Sequence, residues 1–326
     1  MLKPLILAAA LAIAALPPFV QRATAQPFEF VALGDTPYVI PDDYPKFDRL
    51  IAAINASRPQ FSIHVGDIKS GSSPCTDENL KKVLAQFATF EQPLVYTPGD
   101  NEWTDCHRAR AGGFDPLERL AKLRELFFAD PTTSHGRATL ALESQARLMP
   151  DRFAKYVENQ RWSHNGIVFA TVHVPGSNNN FEPGAPQIAM EYFERDAANV
   201  AWIDATFAHA RQTGAKAVVL AWQADVQDIK QKWAGEMPRA SGFVNTVNAV
   251  ERGALAFAKP VLVIHGDEHE FQVARFLNAK MKPIPRVLRL EVMGEKDIHA
   301  VRILVDPDSP GVFGFIPLLV PENGPH

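Results

Sequence analysis

Phe30-Val31-Ala32-Leu33-Gly34-Asp35, an apolar run that stops at Gly-Asp, decides the reading of this chain. The pattern recurs as Ile63-His64-Val65-Gly66-Asp67, as Val95-Tyr96-Thr97-Pro98-Gly99-Asp100 and as Val261-Leu262-Val263-Ile264-His265-Gly266-Asp267-Glu268-His269. A strand ending this way leaves its aspartate at the carboxyl end, with glycine permitting a sharp exit. Four such ends side by side in one sheet would gather Asp35, Asp67, Asp100 and Asp267 with His269 in one crevice. Carboxylates packed so closely repel one another, so a cation is expected among them.

Outward from these loops, further strand-like runs lie at Phe28 to Leu33, Phe61 to Val65, Leu94 to Thr97, Ile167 to Val174, Ala217 to Ala221 and Val261 to Ile264. Helical patterns alternate with several of them, as in a layered α/β protein. Tyr44 to Ser57 carries Phe47, Leu50, Ile51 and Ile54 on one stripe. Asp115-Pro116 caps a second helix, whose buried face is expected to carry Leu117, Leu120, Leu123, Leu126 and Phe127. A third spans about Met190 to Gln212, stopped by Gly214. After His269, Phe271 to Phe276, Arg286 to Met293 and Ile298 to Val305 read as a meander closing a second sheet. The stretch 131–165 reads as an irregular helical insertion able to overhang the site. No linker or internal repeat divides the chain, so residues 26–326 are expected to form one domain.

In order, spacing and strand context the acidic loops resemble the calcineurin-like metallophosphoesterases, whose signature runs D-x-H, GD, GNH followed by D or E, a lone His, then GHxH. The matching stations are Asp35-Thr36-Pro37, Gly66-Asp67, Gly99-Asp100-Asn101-Glu102, Trp222-Gln223-Ala224-Asp225 and Gly266-Asp267-Glu268-His269, spread from Phe28 to about Val305. The resemblance implies a four-layer α/β/β/α sandwich of two mixed β-sheets flanked by helices. It also implies hydrolysis of a small-molecule phosphate monoester or diester by metal-activated water, with Asp67 bridging two ions. Asp35 and His269 would complete one ion's site, and Asp100, Asp267 and Gln223 or Asp225 the other's.

The departures from the family pattern matter as much. Pro37, Asn101 and Asp267 stand where the family has histidines, Asp100 where it has asparagine, and Gln223 or Asp225 where it has the lone histidine. Oxygen donors have replaced nitrogen, which favours Mg, Mn or Ca over Zn or Fe, with one or two divalent ions bound. Pro37 offers no ligand, leaving water or Tyr38 to fill that place. Asn101 occupies the catalytic histidine's position, and His107 is the nearest replacement in sequence for donating a proton to the leaving group. These losses keep open a second class: a catalytically weak or inactive cation-binding protein for surface recognition. No G-x-S-x-G points to a serine esterase.

Lys69 and the Gly176-Ser177-Asn178-Asn179-Asn180 run, on the same edge as the acidic loops, are candidates to meet a phosphate ester through Lys69, Asn178 and Asn179. His64 reads as a buried, hydrogen-bonded strand residue. His173 and His265 read as partners of ligands, and Trp103 as a core aromatic.

Residues 1–25 have the form of a secretory signal: Lys3, an apolar stretch from Leu5 to Leu16, and Ala23-Thr24-Ala25 for cleavage. The apolar run is too short for a stable membrane anchor. An exported protein, periplasmic or secreted, would begin near Gln26, and loss of Lys3 and Arg22 moves the formal charge from −4 to −6. Such acidity excludes a broad nucleic-acid-binding face. Export lets the two cysteines, Cys75 and Cys106, form a disulfide between the loops after Asp67 and Asp100, a closure worth roughly 3 to 4 kcal/mol.

Overall fold

Residues 26–182, 184–227, 236–238 and 240–324 are described by a computed structural model. The expected signal segment therefore lies outside the described residues. Among those described, no helix is long and apolar enough to cross a membrane.

β1 (Phe28–Leu33) is the first of three parallel strands, followed by β2 (Ser62–His64) and β3 (Leu94–Tyr96). Its residues alternate strictly: Phe30 and Ala32 face one core, Val31 and Leu33 another. Burial on both faces is why the run is apolar throughout rather than every second residue. The outer face is covered by α1 (Tyr44–Ser57), α2 (Asp77–Phe87) and α3 (Pro116–Phe127). Phe47, Leu50 and Ile54 of α1 and Leu120 and Leu123 of α3 supply that layer. Asp115 caps α3 as its sequence predicts, accepting from Leu117 N and Glu118 N at 2.9 Å. Leu117 itself is exposed, because the first turn of α3 projects past the core.

The second sheet begins inside 131–165. That stretch holds β4 (Glu143–Ser144), two short helical turns, α4 (Gln145–Leu148) and α5 (Pro150–Phe153), and β5 (Gln160–His164). Instead of overhanging the site as an irregular insertion, it extends the sheet edge, since Trp162 buries against Phe169 with rings stacked 5.2 Å apart. β6 (Ile167–Thr171) leads through the turn α6 (Gly176–Asn179) and the long α7 (Pro186–Gln212) to β7 (Ala217–Ala221). Next come α8 (Val244–Phe257), β8 (Val261–His265), β9 (Gln272–Leu277) and β10 (Pro283–Glu291). The order is β4-β5-β6-β7-β8-β10-β9, with α7 and α8 packed on its outer face.

The tail departs from the expected meander. β9 and β10 complete the second sheet, but β11 (Ala300–Val305) crosses to the first and pairs antiparallel with β1, and β12 (Phe313–Leu318) pairs with β11. Val301, Ile303 and Val305 of β11 fill the core between the sheets with Phe30, Phe61, Phe169, Leu262 and Ile264. The result is the expected four layers, helices over a five-stranded and a seven-stranded mixed sheet.

Candidate metal centre

The four Gly-Asp ends do not belong to one sheet. Asp35, Asp67 and Asp100 leave β1, β2 and β3 of the first sheet, whereas Asp267 leaves β8 of the second. They meet where the carboxyl edges of the two packed sheets face each other. The turns are also made differently from the sequence reading. Gly66 takes the left-handed φ of 105°, but elsewhere the aspartates do so themselves: Asp35 at 50°, Asp67 at 54° and Asp267 at 85°. Glycine is needed at 99 and 266 for close approach, since a β-carbon at Gly99 would collide with Asp67 Oδ1 and one at Gly266 with Asp35 Oδ2. Left-handed non-glycine residues stored together mark a site whose geometry the surroundings impose.

Asp67 is 2 % exposed and central. Its Oδ2 accepts from Asn101 Nδ2 at 2.7 Å and Gln223 Nε2 at 3.2 Å, and its Oδ1 from Asn101 N at 3.1 Å. The Gln223 amide also donates to Asp267 Oδ1 at 3.1 Å, so a neutral N–H pair stands between two carboxylates. Gly176 N donates to Gln223 Oε1, which fixes the amide with its nitrogen, not its oxygen, toward the acids. Asp35 lies against Asp267 N at 3.3 Å and His269 Nε2 at 3.5 Å. Ser177 Oγ donates to Asp100 Oδ2 at 2.6 Å, while Asp100 Oδ1 is buried without a hydrogen-bond partner among the described residues. A β-carbon at Gly176 would sit 2.7 Å from that oxygen and 2.9 Å from Asp267 Oδ1.

The electrostatics follow from this crowding. Burial, then the charges of Asp100 and Glu102, push Asp67 well above the usual carboxylate range. Burial and then Asp100 do the same to Asp267, and burial raises Asp100 against the hydrogen bond from Ser177. Burial opposes protonation of His269, but Asp35 and Glu295 outweigh it and raise its pKa. With no cation among them, ionisation of Asp67, Asp100 and Asp267 is opposed. Among the described residues no three of these donors already close on one point at coordination distance, consistent with the Gln223 amide standing between Asp67 and Asp267. The donor set itself, the unpartnered buried oxygen of Asp100 beside Asp67 and Asp267, whose ionisation burial opposes, fits a hard divalent cation.

Other residues singled out from sequence fall elsewhere. Asp225 turns away: its Oδ1 pairs with Arg289 Nη1 at 2.9 Å, and only its N–H reaches Asp267, at 3.0 Å. Burial resists its ionisation, but His265 and Arg289 bring its pKa below the usual value. Lys69 is 1 % exposed and donates to the carbonyls of Ser70 at 2.8 Å and Asn101 at 2.5 Å, sealed beneath the site rather than facing a substrate. Burial lowers its pKa to about 8. His107 is exposed, with Nδ1 donating to Thr104 O at 2.6 Å, so it is tied to its own turn. Asn178 bonds Phe181 O and Ala240 O; Asn179 is fully buried on Gly242 O and Arg195. His64 is buried as expected, donating from Nε2 to Thr36 O at 2.8 Å, with burial lowering its pKa to about 4. His173 bonds Glu158 at 2.8 Å and His265 bonds Gly266 O at 2.9 Å; neither orients an aspartate of the cluster. Cys75 and Cys106 are joined, Cα to Cα 5.7 Å.

Asp105, Arg108 and Arg195 had no sequence signal of their own, and Glu102, Tyr38 and the run from Ser177 to Asn180 take parts the sequence left open. Glu102 is fully buried and its Oε1 accepts from Gly99 N at 2.8 Å and the Tyr96 hydroxyl at 2.7 Å, shaping the Asp100 turn. The Tyr38 hydroxyl accepts from Asn101 Nδ2 at 3.3 Å, its ring 4.9 Å from that of His269. Asp105 and Arg108 pair at 2.6 Å beside Asn101. Ser177 to Asn180 hold four successive left-handed φ values, clamped by Arg195, which bonds Asn179 O at 2.9 Å and His173 O at 3.1 Å.

No protein-family model matches the chain, and no curated relative is found by sequence. Solved structures do share the fold. A dimetal phosphatase from Danio rerio is similar with a TM-score of 0.52 at 12 % identity, over 90 % of this chain and 99 % of that one. A purple acid phosphatase from yellow lupin (Lupinus luteus) seeds gives 0.51 at 10 %, over 92 % of this chain and 55 % of that one. GAP50, the anchor in the inner membrane complex of Plasmodium, gives 0.49 at 10 %, over 90 % and 89 %. At these identities the likeness is one of fold.

Proposed function

We propose, from the premise that the chain carries the calcineurin-like metallophosphoesterase fold, that it is an exported metal-dependent hydrolase of small phosphate esters. The observation that carries this reading is the gathering of Asp35, Asp67, Asp100 and Asp267 from two sheets at one shared edge, with burial opposing the ionisation of three of them. Asp35, Asp67, Asp100, Asp267 and His269 would hold one or two divalent ions, with Mg, Mn or Ca preferred for so oxygen-rich a set. Such ions supply charge neutralisation at phosphorus and an acidified water as nucleophile. The chain's own residues position them. Asn101 holds both oxygens of Asp67, Ser177 orients Asp100, and His269 stands against Asp35. Export is supported by the signal-like first 25 residues and by the buried Cys75–Cys106 bridge, which an oxidising compartment maintains.

One observation favours the second reading, a cation-binding module without turnover. Asn101, in the place of the family's catalytic histidine, spends its amide on Asp67. The deciding experiment strips the protein of metal, restores Mg, Mn, Ca or Zn singly, and follows hydrolysis of activated aryl phosphates. Turnover that disappears in Asp67→Ala supports the hydrolase. Stoichiometric cation binding with no turnover for any ion sinks it in favour of the binding module.

A further inference from the structure

We propose that Arg108 grips the non-ester oxygens of a dianionic phosphate monoester at the mouth of the aspartate cluster, and thereby sets a preference for monoesters over diesters. The inference rests on the phosphoesterase reading above and names its substrate class. A phosphate entering so acidic a site needs positive groups it can touch besides any bound ion. Lys69 and Arg289 are sealed at 1 % and 2 % exposure, with their donors on carbonyls, Asp225 and Gln272. Arg108 keeps half its side chain in solvent, and its charge acts on Asp100.

Its placement is built rather than incidental. Nη1 pairs with Asp105 Oδ2 at 2.6 Å; Asp105 is itself 3 % exposed, accepts from Ser177 Oγ at 3.2 Å and bonds Asp100 O through its backbone N–H at 3.1 Å. A β-carbon at Gly71 would strike Arg108 Nη1, Asp105 Oδ2 at 2.6 Å and Asn101 Oδ1 at 2.8 Å, so the guanidinium edge, the carboxylate and the Asn101 amide share one small space. Asn101 Nδ2 in turn touches Asp67. The main chain of Arg108 is pinned beside the disulfide, donating to Asp105 O at 3.0 Å and accepting from Ala111 N at 2.9 Å and Gly113 N at 3.1 Å. One edge of the fork is therefore fixed inward while the rest faces the water from which substrate arrives. A guanidinium pairs two phosphate oxygens at once. A monoester near neutral pH carries close to two negative charges and three such oxygens. A diester has one charge and two such oxygens, so it gains less from Arg108.

The test uses the full metal-loaded protein with Arg108→Gln and Arg108→Lys. Orthophosphate binding is measured by calorimetry, and kcat and KM for para-nitrophenyl phosphate and its bis-ester. Losing a charge-assisted pair should weaken orthophosphate at least about ten-fold in Arg108→Gln and less in Arg108→Lys. The monoester-to-diester ratio of kcat/KM should fall by a similar factor, mainly through monoester KM. The Mn-induced rise in melting temperature should match wild type, which separates Arg108 from the metal site and from misfolding. Equal loss for both esters, or unchanged orthophosphate affinity, overturns the proposal. If wild type hydrolyses neither ester with any ion, the phosphoesterase reading fails, and orthophosphate affinity alone still decides Arg108. Absence of orthophosphate binding by wild type overturns it.

Discussion

Chelated protein should lose stability as pH rises, and a divalent cation should cancel that loss. Asp67, Asp100 and Asp267 have folded-state pKa values raised above the unfolded value, so between the two the folded chain binds more protons. Stability then falls with pH, by about 1.4 kcal/mol per pH unit for each carboxyl that keeps its proton. Glu291, raised to about 7, and Asp105, raised to about 6, add to the same slope over their own ranges. Buried His64 and His135, lowered to about 4 by burial, work the other way, adding stability as pH rises from about 4 to their unfolded value near 6.5. The depressed pKa of Glu158, set by Arg124 and His173 against the cost of burial, supplies stability present above its unfolded value and lost as pH falls through the folded one. An unfolding entropy of roughly 2.1 cal/mol/K per residue makes 1 kcal/mol worth about 1.6 °C for some 300 residues. A carboxyl that keeps its proton from pH 5 to 7.5 therefore costs up to about 6 °C over that range. Calorimetry in chelator and in millimolar Mn or Mg across that range is the assay, with Asp67→Asn expected to shallow the chelated slope. A melting temperature that stays level from pH 6.5 to 7.5 in chelator, where the histidines no longer contribute, or the same slope with and without cation, would refute the argument that these carboxylates are short of positive charge.

Replacing both Cys75 and Cys106 by serine should lower stability by about 4 kcal/mol for a separation of 31 residues, or roughly 6 °C, read by calorimetry against the oxidised wild type. Gly266→Ala forces a β-carbon into Asp35 and should destabilise by about 1 to 3 kcal/mol while abolishing the cation-induced rise in melting temperature; retention of that rise would mean Asp35 is not a ligand. Arg195→Leu removes the clamp on Asn179 and leaves Glu191 less compensated, a loss of about 3 to 5 kcal/mol in urea unfolding. Glu102→Gln keeps the shape but weakens the acceptor for Gly99 N and Tyr96, and should reduce cation affinity measured by calorimetry with under about 2 kcal/mol of stability lost.

Several elements were legible in the sequence because their signals are local. Tyr44 to Ser57 folds as read, because its apolar stripe faces a sheet buried on both sides. Asp115-Pro116 starts α3 because a cap and a fixed φ act within one turn. α2 and α8 went unread; β12 also escaped, since its half-exposed residues FGFIPL lack the alternation that marks a strand. The site divides similarly. That Gly-Asp ends would gather follows from repeated strand-end chemistry, yet Asp225 looked equivalent to its neighbours until Arg289, 64 residues away, was seen to hold it. Lys69 follows Asp67 by two positions and faces the opposite way, onto carbonyls.

By itself the sequence determined which residue types stand at strand ends, that they are oxygen donors, and that strands and helices alternate, because each depends on chemistry or periodicity within a few residues. Tertiary structure decided that the acids come from two sheets rather than one, that β11 crosses to pair with β1, that an amide stands between Asp67 and Asp267, and that Lys69 is sealed while Arg108 stays half in solvent. These are matters of which side of a shared core each segment buries, and burial is settled by the whole chain's packing, not by neighbours in sequence.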